Sequence, residues 1–428
     1  MLPGIFLSDR MMSQEVQQIN TTCCIAGGGP AGIILGYLLA RAGIDVVVLE
    51  KHEDFNRDFR GDTIHPSTFQ LIHELGLLDE FLKIPHQEVQ QLHVIYNNRD
   101  IHLVDCTHLP VVKPAIGFMP QWDFLNFFTA QARSYPTFKL LMQTEAMELL
   151  RDNGRVSGVG ARALDRQINI HAHLVIGADG RSSKIREMAG LGKINIGAPI
   201  DVLWFRVSRQ RGDPVQALLG RFLHGNVLIM IEREKHWQIG YILDKGMFDK
   251  KKALGLGAFK AELVTVAPFF ASRTGELKTW DDIKLLSVTI DRLKKWYTEG
   301  LLCIGDAAHA MSPVGGVGIN LAIQDAVATA NILAPALKGK NVTTHLLGNV
   351  QSRREFPAKA TQDLQVFIQK GLVYHRSEKG ADNVPFLFRL LDAVPFLRRI
   401  PARLIGMGFR AEHVSAPEYR ATLPRLRG

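Results

Sequence analysis

Residues 23–32 read CCIAGGGPAG, an apolar run that passes through glycines into a second apolar stretch, IILGYLLA. This order of residue types predicts a buried strand, a tight turn and a helix. Gly27, Gly29 and Gly32 have the spacing G-x-G-x-x-G. The first glycine permits the turn, the second lets a pyrophosphate approach the backbone, and the third lets helix and strand pack closely. The stretch therefore predicts a dinucleotide-binding turn, with the phosphates at the helix N-terminus.

The segment after this helix supports the same interpretation. A second apolar run, residues 45–49, ends in Glu50, eighteen residues past Gly32. A carboxylate at the tip of the second strand can accept hydrogen bonds from a ribose diol. Glycines, strand, helix and acid together favour a dinucleotide site over a plain strand–helix–strand unit with an incidental acid.

The bulk composition is that of an ordinary globular protein. The 428 residues are 46% hydrophobic and 22% charged, and this length predicts two closely associated domains. We expect no membrane-spanning helix, because no apolar run approaches the roughly 20 residues that one needs. The net charge of +9 is spread along most of the chain without a recognisable nucleic-acid-binding motif. We therefore expect attraction of anionic cofactors and no nucleic-acid partner.

The cysteines and the first residues bear on the compartment. There are four cysteines and no C-x-x-C pair, and Cys23, Cys24 and Cys303 fall in apolar strands. This pattern argues against a disulfide scaffold and a zinc ribbon, and it predicts a reducing, cytoplasmic location. Residues 1–7 lack a basic segment and have a very short apolar one, which predicts a disordered leader and not a signal peptide. No metal site is predicted.

Two later stretches again have the form of a buried strand that ends in an acid. Residues 174–180 read LVIGADG and lead into a helix at 184–188. Residues 301–320 read LLCIGDAAHAMSPVGGVGIN and lead into a long helix. Acids and glycines at the carboxyl ends of parallel strands face the crevice where ligands bind. In the second stretch, Asp306 can accept from a sugar-like hydroxyl, and the glycine-rich loop can present N–H groups to an anion.

The three motifs in this order resemble those of the group A flavoprotein monooxygenases, the p-hydroxybenzoate hydroxylase-like family. The similarity spans about residues 22–340, and the third motif is the most specific. It implies an α/β fold, with a three-layer, Rossmann-like FAD-binding domain interleaved with an antiparallel-sheet substrate domain and followed by a helical C-terminus. The implied boundaries are 20–85, 111–195 and 291–342 for the FAD-binding domain, 86–110 and 196–290 for the substrate domain, and 343–428 for the C-terminal helical region.

The resemblance also implies which residues hold the cofactors. The first motif would bind the FAD pyrophosphate and Glu50 the adenosine ribose, while the second motif would contact both FAD and the nicotinamide cofactor. Asp306 would bind the ribityl chain, and the backbone of residues 315–320 would stabilise negative charge at the flavin pyrimidine edge. The implied cofactor-binding residues are Gly27, Gly29, Pro30, Ala31, Gly32, Glu50, Lys51, Arg60, Gln121, Asp179, Gly180, Asp306, Pro313, Gly315, Gly316, Gly318, Ile319 and Asn320.

The implied reaction leaves the difficult chemistry to the cofactor. NAD(P)H reduces FAD, the reduced flavin adds O₂ to give a C4a-hydroperoxide, and its distal oxygen hydroxylates or epoxidises an electron-rich, aromatic or quinone-like small molecule. The protein positions the reactants and excludes water, so we expect no catalytic side-chain nucleophile. His309 belongs either to the site or to a local hydrogen bond. Trp204 and Arg206 share a strand face, and we expect core packing and a solvent-side arginine there.

Other classes remain open at this point. A flavin-dependent halogenase shares the nucleotide motifs, but the sequence lacks Trp-x-Trp-x-Ile-Pro; its nearest stretch, WQIG, begins at Trp237. A flavin reductase or dehydrogenase of the geranylgeranyl-reductase kind is a second alternative. A flavoprotein that serves only as a binding module is a third, poorly motivated because all three motifs are intact. Oxygen uptake tied to product hydroxylation would separate the monooxygenase from the rest.

The C-terminal sequence mixes bulky apolar residues with arginines. Residues 383–428 contain eight arginines against three acids. Such a segment predicts either peripheral contact with an anionic membrane surface or helices that cover the body with arginines outward. Prolines at positions 385, 395 and 401 favour the second interpretation, because they break any long interfacial helix.

Overall fold

The computed structural model describes residues 16–56, 63–164, 166–214, 217–376 and 384–418. The predicted leader and Arg60 lie outside these described residues. The strands are β1 (Gln17–Ala26), β2 (Val46–Leu49), β3 (Thr63–Ile64), β4 (Gln87–Val89), β5 (Gln91–Tyr96), β6 (Arg99–Asp105), β7 (Ile116–Phe118), β8 (Phe138–Leu141), β9 (Thr144–Asp152), β10 (Arg155–Ala163), β11 (Arg166–Gly177), β12 (Lys193–Asn195), β13 (Ile200–Ser208), β14 (Leu218–Leu223), β15 (Asn226–Glu232), β16 (His236–Asp244), β17 (Lys284–Leu286), β18 (Asp291–Leu293), β19 (Tyr297–Thr298), β20 (Leu301–Cys303) and β21 (His309–Ala310).

The helices connect and cover these strands. The α-helices are α1 (Pro30–Arg41), α2 (Pro66–Glu74), α3 (Leu78–Phe81), α4 (Gln121–Arg133), α5 (Lys184–Met188), α6 (Phe248–Ala253), α7 (Leu256–Val266), α8 (Val317–Lys338), α9 (Thr344–Arg376), α10 (Phe386–Ala393) and α11 (Arg399–Gly406). Short 3₁₀ turns lie at Pro268–Phe270, Thr274–Glu276, Trp280–Asp282, Gly305–Ala307, Val314–Gly316 and Pro395–Arg398.

A parallel sheet in the order β8-β2-β1-β11-β20 forms the centre of the larger core, and β19 closes one edge in antiparallel register. Strands β2 and β20, the last five residues of β1 and the last four of β11 are buried, and they are almost all apolar, as is typical of parallel sheets. Ala26 is aligned with Leu49 on one side and Gly177 on the other, and Gly177 is aligned with Cys303. The three predicted motif loops therefore leave the sheet at the same level of the same edge.

Helices pack against this sheet, and a meander extends from it. Helix α1 packs against β2, α4 and α8, while β9 and β10 continue from β11 as an antiparallel meander. The mixed α/β fold and the helical C-terminus are as the sequence predicts. The four cysteines are all buried, free thiols, so the prediction that Cys23, Cys24 and Cys303 lie inside apolar strands is confirmed.

A seven-stranded sheet, in the order β17-β13-β16-β15-β14-β5-β6, forms a second unit. It is antiparallel as predicted, except that β14 and β5 pair in parallel, with Gly220 opposite Val94. The exception arises because the β5–β6 hairpin comes from a distant part of the sequence and adds to the edge of the sheet. Trp204 is half-buried in apolar contacts and Arg206 is exposed, so the prediction of core packing with an outward arginine is confirmed.

One helix in the described part of the chain is long and apolar enough to cross a membrane. It comprises α8 and the turn before it, Val314–Lys338, and 78% of its most apolar 18-residue stretch is buried inside the protein. The helix contains Asn320, Gln324 and Asp325, so it is not the uninterrupted apolar run that the sequence analysis excluded. Burial against α1 and α9 accounts for the composition, since a helix enclosed by neighbours is apolar on most sides.

The C-terminal helices pack on the outer edge of the seven-stranded sheet. Helices α10 and α11 contact β6, and they bury Leu391, Ala402 and Gly406. A Cβ atom at Gly406 would lie 2.9 Å from Cδ1 of Leu109, which shows how closely α11 approaches the body. The interpretation that these helices cover the body therefore holds for their inner faces.

Candidate active site

The first motif forms the turn that its glycine spacing predicts. Gly27 has φ +113°, and a Cβ atom there would lie 2.3 Å from the carbonyl oxygen of Ala178. A Cβ atom at Gly32 would lie 1.9 Å from the carbonyl oxygen of Gly27, so the helix rests directly on the turn. At Gly29, by contrast, a Cβ atom would meet nothing within 4 Å. This open space lies at the start of α1, where Pro30 and Ala31 begin the helix and no side chain caps it.

Glu50 is fixed at the tip of β2 by backbone hydrogen bonds. Its carboxylate accepts from the Gly28 N–H at 3.0 Å and from the His52 N–H at 3.1 Å, and it also contacts the His52 ring. A Cβ atom at Gly28 would lie 2.9 Å from Cβ of Glu50, so Gly28 is required although the motif does not include it. The exposed side chain of Lys51 lines a polar groove just beyond the strand tips.

The acid of the second motif forms hydrogen bonds at the start of α5. The Asp179 carboxylate accepts from Oγ of Ser183 and, at 3.1 Å, from the N–H of Ile185, so it caps α5. Burial raises the pKa of Asp179, although these hydrogen bonds act in the opposite direction. Gly180 has φ +85° and open space where a Cβ atom would be. At this loop the backbone of Gly180 is therefore free to approach a ligand, while the Asp179 side chain serves the helix.

Two arginines that are not among the implied cofactor-binding residues join the second and third motifs. Arg181 Nε donates to Asp306 Oδ2 at 3.1 Å. Arg186 is buried and donates to the carbonyl oxygens of Arg181 at 2.7 Å and Ala307 at 3.2 Å. Asp306 thus lies beside the second motif, and part of its carboxylate is exposed.

A buried charge network supports the third motif. Asp325 accepts from the N–H of Gly305 at 3.0 Å and from Nε of Arg354 at 2.8 Å, and Nε2 of His309 lies 2.6 Å from its carboxylate. Burial alone would raise the pKa of Asp325, but His309 and Arg354 hold it below its usual value. Arg354 also contacts Glu412 at 3.2 Å. His309 therefore bonds a residue sixteen positions away and not the local partner that was one of its two interpretations.

The glycine-rich loop turns through two left-handed residues, Gly315 at φ +78° and Gly316 at φ +63°. A Cβ atom at Gly316 would lie 2.0 Å from Oγ1 of Thr63. The loop leads into α8, whose N-terminus has no side-chain cap. Pro313 precedes the turn, Gly318 and Ile319 belong to the first turn of α8, and Ile319 is buried. The N–H groups of this first turn are thus oriented as an anion-stabilising set.

Asn320 holds this loop against β3 and α2. Its Oδ1 accepts from the His65 N–H and from Oγ1 of Thr68, both at 2.8 Å. Its Nδ2 donates to the carbonyl oxygens of Thr63 at 3.0 Å and Gly316 at 3.1 Å. The side chain of Asn320 is fully occupied by protein contacts, which leaves the loop backbone as the part that can meet a cofactor.

Glutamines of α9 fasten the other side of the loop. Gln365 accepts from the Ser312 N–H at 3.1 Å and donates to the carbonyl oxygens of Ser312 at 2.9 Å and Val314 at 2.8 Å. Gln362 Nε2 likewise donates to the carbonyl oxygens of Asp291 and Ala310. The sequence analysis missed these residues, although their helical spacing is visible in the sequence.

Gln121 is the first residue of α4 and is half-buried. It follows β7, which pairs with β3 so that Phe118 lies opposite Thr63, the residue that contacts the glycine-rich loop. Gln121 is thereby placed on the side of the site that carries this loop. Of the eighteen implied cofactor-binding residues, Arg60 is the one outside the described residues.

The arrangement fits FAD. Two uncapped helix N-termini, at α1 and α8, provide N–H groups for the pyrophosphate and for the flavin pyrimidine edge. Carboxylates of Glu50 and Asp306, which follow the motif strands β2 and β20, could accept hydrogen bonds from the sugar hydroxyls. The open space at Gly29 and Gly180 would let the sugar and phosphate groups of FAD approach the protein backbone.

Comparisons with known proteins agree with this geometry. A family model described as the FAD binding domain matches residues 20–363. The 6-methylpretetramide 4-monooxygenase of Streptomyces rimosus is 29% identical over 388 residues, which cover 90% of this chain and 92% of that protein. The 3-demethoxyubiquinol 3-hydroxylase of Escherichia coli is 25% identical over 334 residues, 74% of this chain and 80% of that protein.

Solved structures share the fold. The OxyS anhydrotetracycline hydroxylase from Streptomyces rimosus has a TM-score of 0.71 and 22% identity, covering 91% of this chain and 76% of that chain. PqsL from Pseudomonas aeruginosa, in complex with 2-aminobenzoylacetate, has a TM-score of 0.71 and 20% identity, covering 85% of this chain and 98% of that chain. Since the family model matches most of the chain, the chain belongs to the p-hydroxybenzoate hydroxylase-like, group A family of FAD- and NAD(P)H-dependent monooxygenases.

Proposed function

We propose that this monooxygenase hydroxylates an electron-rich, phenolic multi-ring substrate, which it binds between the glycine-rich loop and the seven-stranded sheet. The observation that carries the proposal is an apolar cluster that spans these two elements. Val314 of the loop and Val366 of α9 pack with sheet residues Val202, Trp204 and Phe222. Such a surface, next to the flavin-facing loop, suits a planar apolar ring.

The chain's own residues have positioning roles in this reaction. When bound, FAD supplies the redox chemistry and the activation of O₂. The N-termini of α1 and α8 hold negative charge, Asp306 orients the sugar chain, and Asn320 and Gln365 keep the glycine-rich loop in one conformation. The apolar cluster excludes water from the reacting ring.

The relatives support a phenolic polycycle. The Streptomyces rimosus relative, which aligns over 92% of its length, is named for 6-methylpretetramide. The Escherichia coli relative, which aligns over 80% of its length, is named for 3-demethoxyubiquinol. A halogenase and a brominase also share the fold, at 18% and 15% identity. That level of identity carries the fold alone, and the sequence lacks the Trp-x-Trp-x-Ile-Pro stretch expected of a halogenase.

The test is turnover by the purified, FAD-loaded protein. NADPH and NADH are compared as reductants, with 6-methylpretetramide, simpler phenols and a ubiquinol analogue as trial substrates. We expect one phenolic polycycle to stimulate NAD(P)H oxidation several-fold, with one oxygen atom from isotopically labelled O₂ in the product. Flavin reduction that is indifferent to O₂ would favour a reductase, and bromide incorporation would favour a halogenase. Trp204→Ala, which removes a half-buried ring of the apolar cluster, should raise KM for the accepted substrate without loss of FAD.

We also propose peripheral contact with an anionic membrane through the outer faces of α10, α11 and the turn between them. Phe386 is 72% exposed, Phe396 65% and Ile400 57%. The Arg399 guanidinium lies over the Phe396 ring, 5.1 Å from its centroid. Aromatic and aliphatic side chains beside arginines are typical of helices that lie in a bilayer interface.

Vesicle sedimentation tests this contact. Wild-type protein should sediment with phosphatidylglycerol vesicles in a salt-sensitive way and stay unbound with phosphatidylcholine alone. Phe386→Ser combined with Phe396→Ser should abolish binding and retain FAD. Phe367→Ser is the matched control, because Phe367 is 68% exposed but lies on α9. Equal sedimentation of all three proteins would contradict the proposal.

A further inference from the structure

Three metal-ligating side chains lie together on the β5–β6 hairpin, apart from the flavin motifs. His93 and His102 are directly opposite each other across the two strands, and their rings stack with centroids 5.4 Å apart. Asp100 lies two residues before His102, on the same face of β6, and its Oδ1 is 2.6 Å from Nδ1 of His93. One ligand atom from each of the three residues lies within 4.8 Å of the other two.

The hairpin holds these residues in fixed register. Its turn consists of Asn97 and Asn98, both left-handed at φ +46° and +63°, the conformation of a tight two-residue connection. A register shift between Leu92 and His93 places a bulge directly beside the histidine pair. Bulges re-aim side chains and are common at sheet edges, where β6 lies.

The rest of the protein anchors the hairpin. Strand β5 pairs with β14, and the backbone N–H of His102 donates to Oδ1 of Asp392 on α10 at 3.0 Å. The side chain of Asp100 is 53% exposed and that of His93 22%, so a solvated ion can reach them. The three groups are therefore preorganised and also accessible.

We propose that His93, Asp100 and His102 form a binding site for a divalent transition metal of the Zn²⁺ type. Two imidazoles and a carboxylate are borderline-soft donors that suit Zn²⁺, Cu²⁺ and Ni²⁺ rather than Mg²⁺ or Ca²⁺. Metal–ligand distances of about 2.0–2.2 Å place ligand atoms of a tetrahedral ion about 3.4 Å apart. The separation of 2.6 Å between Nδ1 of His93 and Oδ1 of Asp100 is shorter than that value, and all three ligand atoms lie within 4.8 Å of one another. Side-chain rotations would therefore close the site, and water would complete the coordination.

The site has a structural consequence for the substrate-binding sheet. A metal held by both strands cross-links the hairpin, which forms one edge of the seven-stranded sheet. The same sheet contributes Trp204 and Phe222 to the proposed substrate surface. Because the ligands bind the ion in their deprotonated forms, protons compete with the metal for the site. None of the three ligands belongs to the flavin motifs.

The experiment uses full-length, FAD-loaded protein from which any affinity tag has been removed. Titration calorimetry with ZnCl₂ should show one site with micromolar affinity. Cu²⁺ added at one equivalent should give an electron paramagnetic resonance spectrum with hyperfine coupling to two imidazole nitrogens. Oxidised FAD is diamagnetic and does not interfere.

The variants distinguish this site from other surface groups. His93→Gln and His102→Gln should each weaken Zn²⁺ binding at least tenfold and remove one nitrogen coupling, with FAD content unchanged. Asp100→Asn should weaken Zn²⁺ binding and keep both nitrogens. His171→Gln, at an exposed histidine on β11, is the control and should bind as wild type does. The proposal is overturned if wild type binds no stoichiometric Zn²⁺, or if the His93 and His102 variants bind Zn²⁺ as tightly as wild type.

Discussion

Arg181 and Asp306 form an ion pair, Nε to Oδ2 at 3.1 Å, that joins the loop after β11 to the loop after β20. The side chains are 37% and 30% exposed, so the pair contributes little stability by itself. Its consequence is positional, because it holds the Asp306 carboxylate at the level where the three motif loops meet. A carboxylate held in this way can accept a sugar hydroxyl without first losing side-chain freedom.

Asp306→Ala should weaken FAD binding. A charge-assisted hydrogen bond contributes roughly 1.5–3 kcal/mol, which corresponds to about a 10- to 150-fold change in Kd. Fluorescence titration of the stripped protein with FAD measures the change. Asp392→Ala removes a carboxylate that bonds the β5–β6 hairpin and should leave FAD affinity unchanged. FAD affinity equal to wild type in Asp306→Ala would remove Asp306 from the cofactor site.

The motif loops were predictable because their causes are local. An apolar strand, a glycine with positive φ and a helix start are each encoded within about ten residues, as at Gly27 and Gly316. The capping role of Asp179 was less visible, since the same Asp-Gly pair suits both a ligand and the start of α5. Local patterns identify where a loop is and leave open what each side chain in it contacts.

The supporting contacts could not be predicted in the same way. Asn320 bonds Thr63, His65 and Thr68 across more than 250 positions of sequence, and Gln365 bonds Ser312 across 53. Such pairs exist only after the sheet has brought distant segments together, and no periodicity marks the partner. The parallel pairing of the β5–β6 hairpin with β14 was not predicted for the same reason.

Gly316→Ala should destabilise the protein more than Gly315→Ala. Both residues have positive φ, which costs an L-residue about 1–2 kcal/mol. At Gly316 a Cβ atom also lies 2.0 Å from Oγ1 of Thr63, whereas at Gly315 the nearest atom is 3.6 Å away. Overpacking adds about 1–3 kcal/mol at Gly316. Urea denaturation of both variants measures the difference, and equal losses would show that Thr63 yields to the added methyl group.

Asp325→Asn should destabilise the protein by about 3 kcal/mol or more, because it leaves the buried Arg354 guanidinium with a neutral partner. The contact between Arg354 and Glu412 limits the loss. Glu145→Gln is the control, since its ion pair with Lys184 is at the surface and should contribute less than about 1 kcal/mol. Urea denaturation at neutral pH compares the two. A loss for Asp325→Asn no larger than the control would mean that Arg354 is satisfied by Glu412 alone.

His65 should make stability depend on pH between about 4 and 6.5. It is 1% exposed, and burial lowers its pKa to about 4 against the raising effect of the Ile405 and Gly315 carbonyls. In that pH range the unfolded chain binds a proton that the folded protein does not, so the free energy of unfolding falls as pH drops. The full loss approaches about 3 kcal/mol, at about 1.36 kcal/mol per pKa unit.

Urea denaturation of His65→Gln between pH ~7 and ~5 should show a shallower decline in the free energy of unfolding than wild type. The exposed His171, replaced by Gln, should retain the wild-type slope. Identical slopes in wild type and His65→Gln would show that other groups govern the acid sensitivity.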